Sequence, residues 1–191
     1  MELDESLLSQ AEIDALARRI DRPVVLVGLM GVGKSSIGRR LSALLHMPFV
    51  DADEEIERAA QMTISEIFAQ FGESYFRDGE RRVIARLIDG PGTRRIIATG
   101  GGAFVNGETR QLILERGIGV WLDSQLDVLV DRVGRKSTRP LLKNGNPAEI
   151  LGRLKAEREP FYAEAPIHVM SSSGPQSRTV HRVLRGIAEW L

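Results

Sequence analysis

The chain alternates short, solidly apolar runs with longer stretches in which apolar residues return every three or four positions. The first kind reads as strands buried on both faces, the second as helices that cover them. Val24-Val25-Leu26-Val27, Phe49-Val50, Ile96-Ile97-Ala98, Ile118 to Leu122 and Ile167 to Met170 are the strand candidates. Helical spacing links Ile37, Leu41, Leu44 and Leu45, then Ile67 and Phe68 behind a Thr63/Glu66 capping box, then Val83, Ile84 and Leu87, and finally Val180, Leu184, Ile187 and Leu191. Enough chain separates the strands for helical crossovers, which predicts an α/β fold with a central, mainly five-stranded parallel sheet flanked by helices.

Punctuation supports this division. Met47-Pro48 precedes the second strand, Gly90-Pro91-Gly92 stops a helix, and Pro175 suits the beginning of the last one. Near the start, Ile13, Leu16, Ala17 and Ile20 share a helical face behind a Ser9/Glu12 capping box, and Asp21-Arg22-Pro23 breaks that pattern. Residues 1–21 therefore read as a short helical extension, a docking or tether helix, and residues 22–191 as the main domain.

Composition narrows the function. A chain of 191 residues suits one domain with a substantial core. Lysine plus arginine number 26 and aspartate plus glutamate 26, for a net charge of zero, which argues against broad attraction to nucleic acid or a membrane surface. With no cysteine there is no disulfide, thiolate metal site or cysteine nucleophile. The acidic beginning lacks the pattern of a secretory signal and no apolar stretch approaches the ~20 residues of a membrane span, so a cytoplasmic location is expected.

The stretch Gly28-Leu29-Met30-Gly31-Val32-Gly33-Lys34-Ser35 fits the P-loop pattern G-x-x-x-x-G-K-[ST] between a predicted strand and a predicted helix. Glycines let backbone amides approach phosphate, the helix N-terminus favours anions, Lys34 reaches the terminal phosphates, and Ser35 is placed to ligate magnesium. Gly31, Val32, Gly33, Lys34, Ser35 and Ser36 are thus the expected nucleotide cradle. The motif does not choose among kinase, GTPase and mechanical ATPase.

Asp51 and Asp53 follow the second strand, at the edge where open α/β sheets bind ligands. One carboxylate can orient magnesium and the other can accept a hydrogen bond from an acceptor hydroxyl. Either can instead cap the following helix, and local sequence leaves the two roles open. The histidines His46, His168 and His181 lack metal-ligand spacing and read as packing or surface residues.

Together, Asp51-Ala52-Asp53, Phe76-Arg77, Gly100-Gly101-Gly102, Arg139-Pro140-Leu141-Leu142 and Arg158-Glu159-Pro160-Phe161-Tyr162 give a chain that, over about residues 22–191, resembles the shikimate kinase family. That resemblance implies a three-layer P-loop kinase fold with a mobile lid at about residues 134–146, and transfer of the ATP γ-phosphoryl group to the 3-hydroxyl of shikimate. It implies Mg2+ at Ser35 and Asp51, the acceptor hydroxyl at Asp53, and the substrate carboxylate at Arg77 and Arg158. Gly100, Gly101 and Gly102 would admit the acceptor ring, and Arg139 of the lid would close over the phosphates as a catalytic group beside Lys34 and Asp53.

Arg132, Pro175 and Gln176 fall where the family frames adenine, and no guanine-reading N-K-x-D segment argues for GTP. Glu80, a turn after Arg77, orients that arginine, pairs with Arg158, or is a solvated partner. The expected partners are shikimate and ATP, without nucleic acid or membrane, and the expected state is a monomer. The alternatives are a related small-metabolite kinase such as a gluconate kinase, or a nucleotide-dependent regulatory module that uses the N-terminal helix as its contact surface.

Overall fold

The computed structural model describes residues 7–92, 94–134, 145–171 and 174–191. The proposed lid lies almost wholly outside these residues, and Arg139 with it.

Among the described residues, five strands form one parallel sheet: β1 (Val24–Val27), β2 (Phe49–Asp51), β3 (Ile96–Ala98), β4 (Ile118–Asp123) and β5 (Ile167–Met170), in the order β2-β3-β1-β4-β5. The most apolar run takes the centre. All four residues of β1 are fully buried, each such side chain contributing about 1.5–3 kcal/mol relative to exposure. The register sets Asp51 beside Ala98 and Leu26 beside both Ala98 and Val120, so the carboxyl ends of the inner strands lie level. Everything that follows those ends meets along one edge.

Among the described residues, eight α-helices connect and cover the strands: α1 (Gln10–Arg19), α2 (Lys34–Leu45), α3 (Ala52–Ala60), α4 (Ile64–Asp89), α5 (Gly107–Arg116), α6 (Leu126–Gly134), α7 (Pro147–Tyr162) and α8 (Gln176–Trp190). Both capping boxes form, Ser9 with Glu12 before α1 and Thr63 with Glu66 before α4. Pro147 sits in the first turn of α7, whereas Pro175 is the residue before α8 rather than its first helical position. The two helical patterns at residues 67–68 and 83–87 belong to one kinked helix. Gly72 breaks it with φ 80° and ψ 176°, a conformation that glycine alone adopts at little strain.

The N-terminal helix docks. Ile13, Leu16, Ala17 and Ile20 of its apolar face belong to the same buried cluster as the sheet, and the helix touches α2 and α8. Arg94 donates to the Ala17 carbonyl at 2.6 Å. Among the described residues no helix is long and apolar enough to cross a membrane.

Candidate active site

Leaving β1, the chain turns through Gly28–Gly33 into α2. Gly28 has φ 133°, and a Cβ there would stand 2.2 Å from the Leu122 carbonyl oxygen, so both backbone angle and space require glycine. Gly33 is the N-cap of α2 and gives it no side-chain cap, which leaves the first helical amides for an anion. Lys34 is buried and folded over the loop, its Nζ donating to the carbonyls of Gly28 at 2.7 Å and Leu29 at 3.0 Å. Gly31 and Val32 lie within the loop, the Val32 carbonyl accepting from Arg132 at 3.2 Å, and Ser36 is exposed on the first turn of α2.

Asp51 takes the capping role and also contacts the P-loop helix. Its Oδ1 accepts from the Asp53 amide at 3.1 Å and caps α3, while Oδ2 accepts from Ser35 Oγ at 2.6 Å. Asp53 therefore lies in the first turn rather than at the cap. Burial, with the Asp51 and Glu80 carboxylates nearby, pushes its carboxyl up to about 6, and Lys34 opposes that rise. A carboxylate so placed is a strong acceptor for a hydroxyl brought into the site.

Arg77 projects from α4 and donates through Nη1 to Glu80 Oε2 at 2.7 Å, and through Nη2 to Glu73 at 3.2 Å. Glu80 is not a solvated partner: it is 2 % exposed, and its Oε1 has no hydrogen-bond partner among the described residues. Burial raises its carboxyl above the usual range while Arg77 holds it down. Arg158, on α7, donates through Nη1 to the Gly101 carbonyl at 3.0 Å, and the Tyr162 hydroxyl donates to the same oxygen.

The glycine triplet is where these groups meet. A Cβ on Gly100 would lie 2.6 Å from Glu80 Oε1 and 2.9 Å from Asp53 Oδ1, and one on Gly102 would lie 2.6 Å from both terminal nitrogens of Arg77. On Gly101 it would stand 3.3 Å from the Met30 amide nitrogen of the P-loop and 3.5 Å from Arg158 Nη1. Sequence assigned this space to the acceptor ring. The structure adds a nearer reason for it, since Asp53, Glu80, Arg77 and the P-loop backbone at Met30 themselves need the room.

At the end of β4, Asp123 Oδ1 accepts from Lys155 Nζ at 2.6 Å, and Arg132 Nη1 donates to Ser171 Oγ at 3.1 Å. This puts Arg132 between α6, the P-loop and the end of β5, with Gln176 opening α8 shortly after. Tyr162 enters the sequence reading only as the end of the Arg158–Tyr162 motif, with no role of its own, and the Asp123–Lys155 pair does not enter it. A tyrosine four residues after Arg158 reads as core, and no local spacing joins residues 123 and 155. The histidines take packing and capping roles: His46 ends α2, His168 stacks on Trp121 with ring centroids 3.9 Å apart, and His181 Nδ1 accepts from the Leu8 amide.

The arrangement brings a P-loop motif, a carboxylate able to accept from a hydroxyl and two arginines suited to a carboxylate to one sheet edge. The family model described as shikimate kinase matches residues 30–188. A shikimate kinase of Novosphingobium aromaticivorans is 66% identical over 193 residues, covering 100% of both chains, and therefore includes the α1 region. One of Rhodopseudomonas palustris is 51% identical across 96% of this chain and 89% of its own.

Among solved structures, a shikimate kinase of Acinetobacter baumannii in complex with shikimate superposes with a TM-score of 0.81 at 32% identity, covering 95% of this chain and 98% of that one. A gluconokinase of Sinorhizobium meliloti, at a TM-score of 0.60 but 18% identity, shares the fold alone. With a family model spanning most of its length and relatives this similar, the chain belongs to the shikimate kinase family.

Proposed function

We propose that this protein transfers the γ-phosphoryl group of ATP to the 3-hydroxyl of shikimate, giving shikimate 3-phosphate and ADP for aromatic amino-acid biosynthesis. The observation that carries this reading is the convergence of Asp53, Arg77 and Arg158 on the glycine triplet, with Gly101 against the P-loop. The Acinetobacter neighbour, described as bound to shikimate, supports the same acceptor.

Gly31 to Ser36 hold the phosphates through loop and helix amides, and Lys34 exchanges its loop carbonyls for phosphate oxygens. Arg77 and Arg158 take the acceptor carboxylate through paired hydrogen bonds, which fixes the ring. Asp53 accepts the hydrogen bond of the 3-hydroxyl and directs its lone pair along the transfer line. Loose phosphoryl transfer needs little early proton removal, so orientation is the larger part of this task.

Ser35 and Asp51 offer hard oxygen donors already in contact, which fits Mg2+, an ion that keeps water and phosphate among its ligands. Bound there, it would offset phosphate charge. No cluster of three or more histidine, aspartate or glutamate side chains competes for a metal among the described residues. In the same reading Arg139 closes over the phosphates, Arg132 and Gln176 border the base, and the enzyme works as a cytoplasmic monomer without nucleic acid or membrane.

ADP release measured with Mg2+ATP and either shikimate or gluconate tests the assignment. Turnover with shikimate is expected. Turnover with gluconate and none with shikimate would overturn it.

A further inference from the structure

Tyr162 ends α7, one helical turn after Arg158. Its side chain is 2 % exposed and lies beside Trp121, with ring centroids 6.0 Å apart. A buried phenol needs a hydrogen-bond partner, and this one donates to the Gly101 carbonyl, the oxygen that Arg158 Nη1 also uses. Burial lifts the phenol above its ordinary range, with the adjacent Arg158 charge opposing, so the hydroxyl remains a donor.

Two donors on one carbonyl have a consequence for binding. When Arg158 turns its N–H groups to an acceptor carboxylate, a Gly101 oxygen held by Arg158 alone would lose its partner. Leaving that carbonyl unsatisfied would offset part of what the new ion pair contributes. The second donor removes that penalty. It also fixes the Gly101–Gly102 peptide, beside which the Arg77 guanidinium lies.

We propose that Tyr162 is a positioning residue of the acceptor site, keeping the Gly101 carbonyl bonded and so releasing Arg158 to grip the substrate carboxylate. It acts through Arg158 and does not itself touch the acceptor. The inference rests on the shikimate reading above.

Full-length Tyr162→Phe removes only the hydroxyl. The KM for shikimate should rise roughly five- to tenfold, the value of one net hydrogen bond, while kcat and the KM for ATP stay within about twofold. In an Arg158→Ala background the same substitution should change kcat/KM by less than about twofold, because the partner it serves is gone. An unchanged acceptor KM overturns the proposal. So does an equal loss on both substrates with a lowered Tm, which is a packing effect, or a full effect that survives in Arg158→Ala.

A second measurement leaves the phenol in place. The chain has 2 tyrosines, Tyr75 and Tyr162, so 3-fluorotyrosine in Tyr75→Phe protein gives one fluorine signal. That signal should move on saturation with shikimate and hold still with ADP alone; a signal indifferent to shikimate sinks the idea. If the unaltered enzyme releases no ADP with shikimate, the functional reading fails instead, an outcome separable from any Tyr162 result.

Discussion

Ser35 and Asp51, on different elements, are joined by a 2.6 Å hydrogen bond that ties the P-loop helix to the end of β2. The same carboxylate caps α3 through its other oxygen. Two substitutions separate these duties. Asparagine caps a helix about as well as aspartate, so Asp51→Asn should keep near-normal stability, while Asp51→Ala should lose about 1 kcal/mol. Both should raise the Mg2+ concentration for half-maximal ADP release by about tenfold. A Mg2+ requirement unchanged in Asp51→Asn removes Asp51 from the metal site.

Asp53 sets activity against stability. Its folded-state value of about 6 lies above the ordinary carboxyl value of 3.8. Folding therefore favours the protonated form: that stabilisation is fully present below about pH 4 and is lost as the pH rises through about 6. Asparagine does not titrate. Metal-free and nucleotide-free Asp53→Asn should thus be more stable than the parent at pH 7.5, by on the order of 3 kcal/mol, with the gap closing toward pH 4. Its turnover should fall about 10²–10⁴-fold. Urea titrations at several pH values and ADP release check the two halves, and a variant less stable at pH 7.5 contradicts the electrostatic account.

The sheet and donor loop were legible because their signals are local. Val24–Val27 is apolar throughout since β1 is covered on both faces, and the P-loop spacing is imposed by one ligand on one turn. The acceptor side emerged only as an ordered set of motifs, because Arg77, Arg158 and the triplet are far apart in sequence and individually ordinary. Glu80 shows the limit. From spacing alone it orients Arg77, pairs with Arg158 or lies in solvent, and only the packed structure reveals a buried carboxylate whose Oε1 faces the triplet with no hydrogen-bond partner among the described residues. Tyr162 escaped for the same reason, since its partner is a backbone carbonyl 61 residues away.

Glycines 28 and 102 should respond differently to alanine. At Gly102 the added Cβ meets the terminal nitrogens of Arg77 at 2.6 Å, and a flexible side chain can move aside. The fold should survive and the arginine should not stay in place, so the KM for shikimate rises about tenfold with Tm nearly unchanged. At Gly28 the obstacle is the Leu122 carbonyl at 2.2 Å in a backbone with φ 133°, and neither yields. Gly28→Ala should lose several kcal/mol of stability, on the order of 3 or more. Thermal melts together with acceptor titrations distinguish the cases, and an undisturbed acceptor KM in Gly102→Ala refutes the Arg77 argument.

Lys155 and Asp123 provide the last test, because they join α7, which carries Arg158, to the end of β4. Asp123 Oδ1 receives Lys155 Nζ at 2.6 Å and the Ser124 amide at 2.7 Å, and Lys155 also donates to the Ser124 carbonyl at 2.9 Å. The side chains are 25% and 13% exposed, so water screens the pair only in part. Lys155→Met leaves a mostly buried carboxylate with the His168 ring, Nε2 3.6 Å from Oδ2, in place of a fixed cation, which should cost about 2 kcal/mol, below the 3–5 typical of a fully buried pair. Adding Asp123→Asn removes the stranded charge and should recover about half of that loss, the coupling expected of groups in direct contact. Urea unfolding of the two single variants and the double variant closes the cycle. Strict additivity would mean that the contact contributes nothing to holding α7 on the sheet, and Arg158 would then depend on the hydrogen bonds at Gly101 for its place.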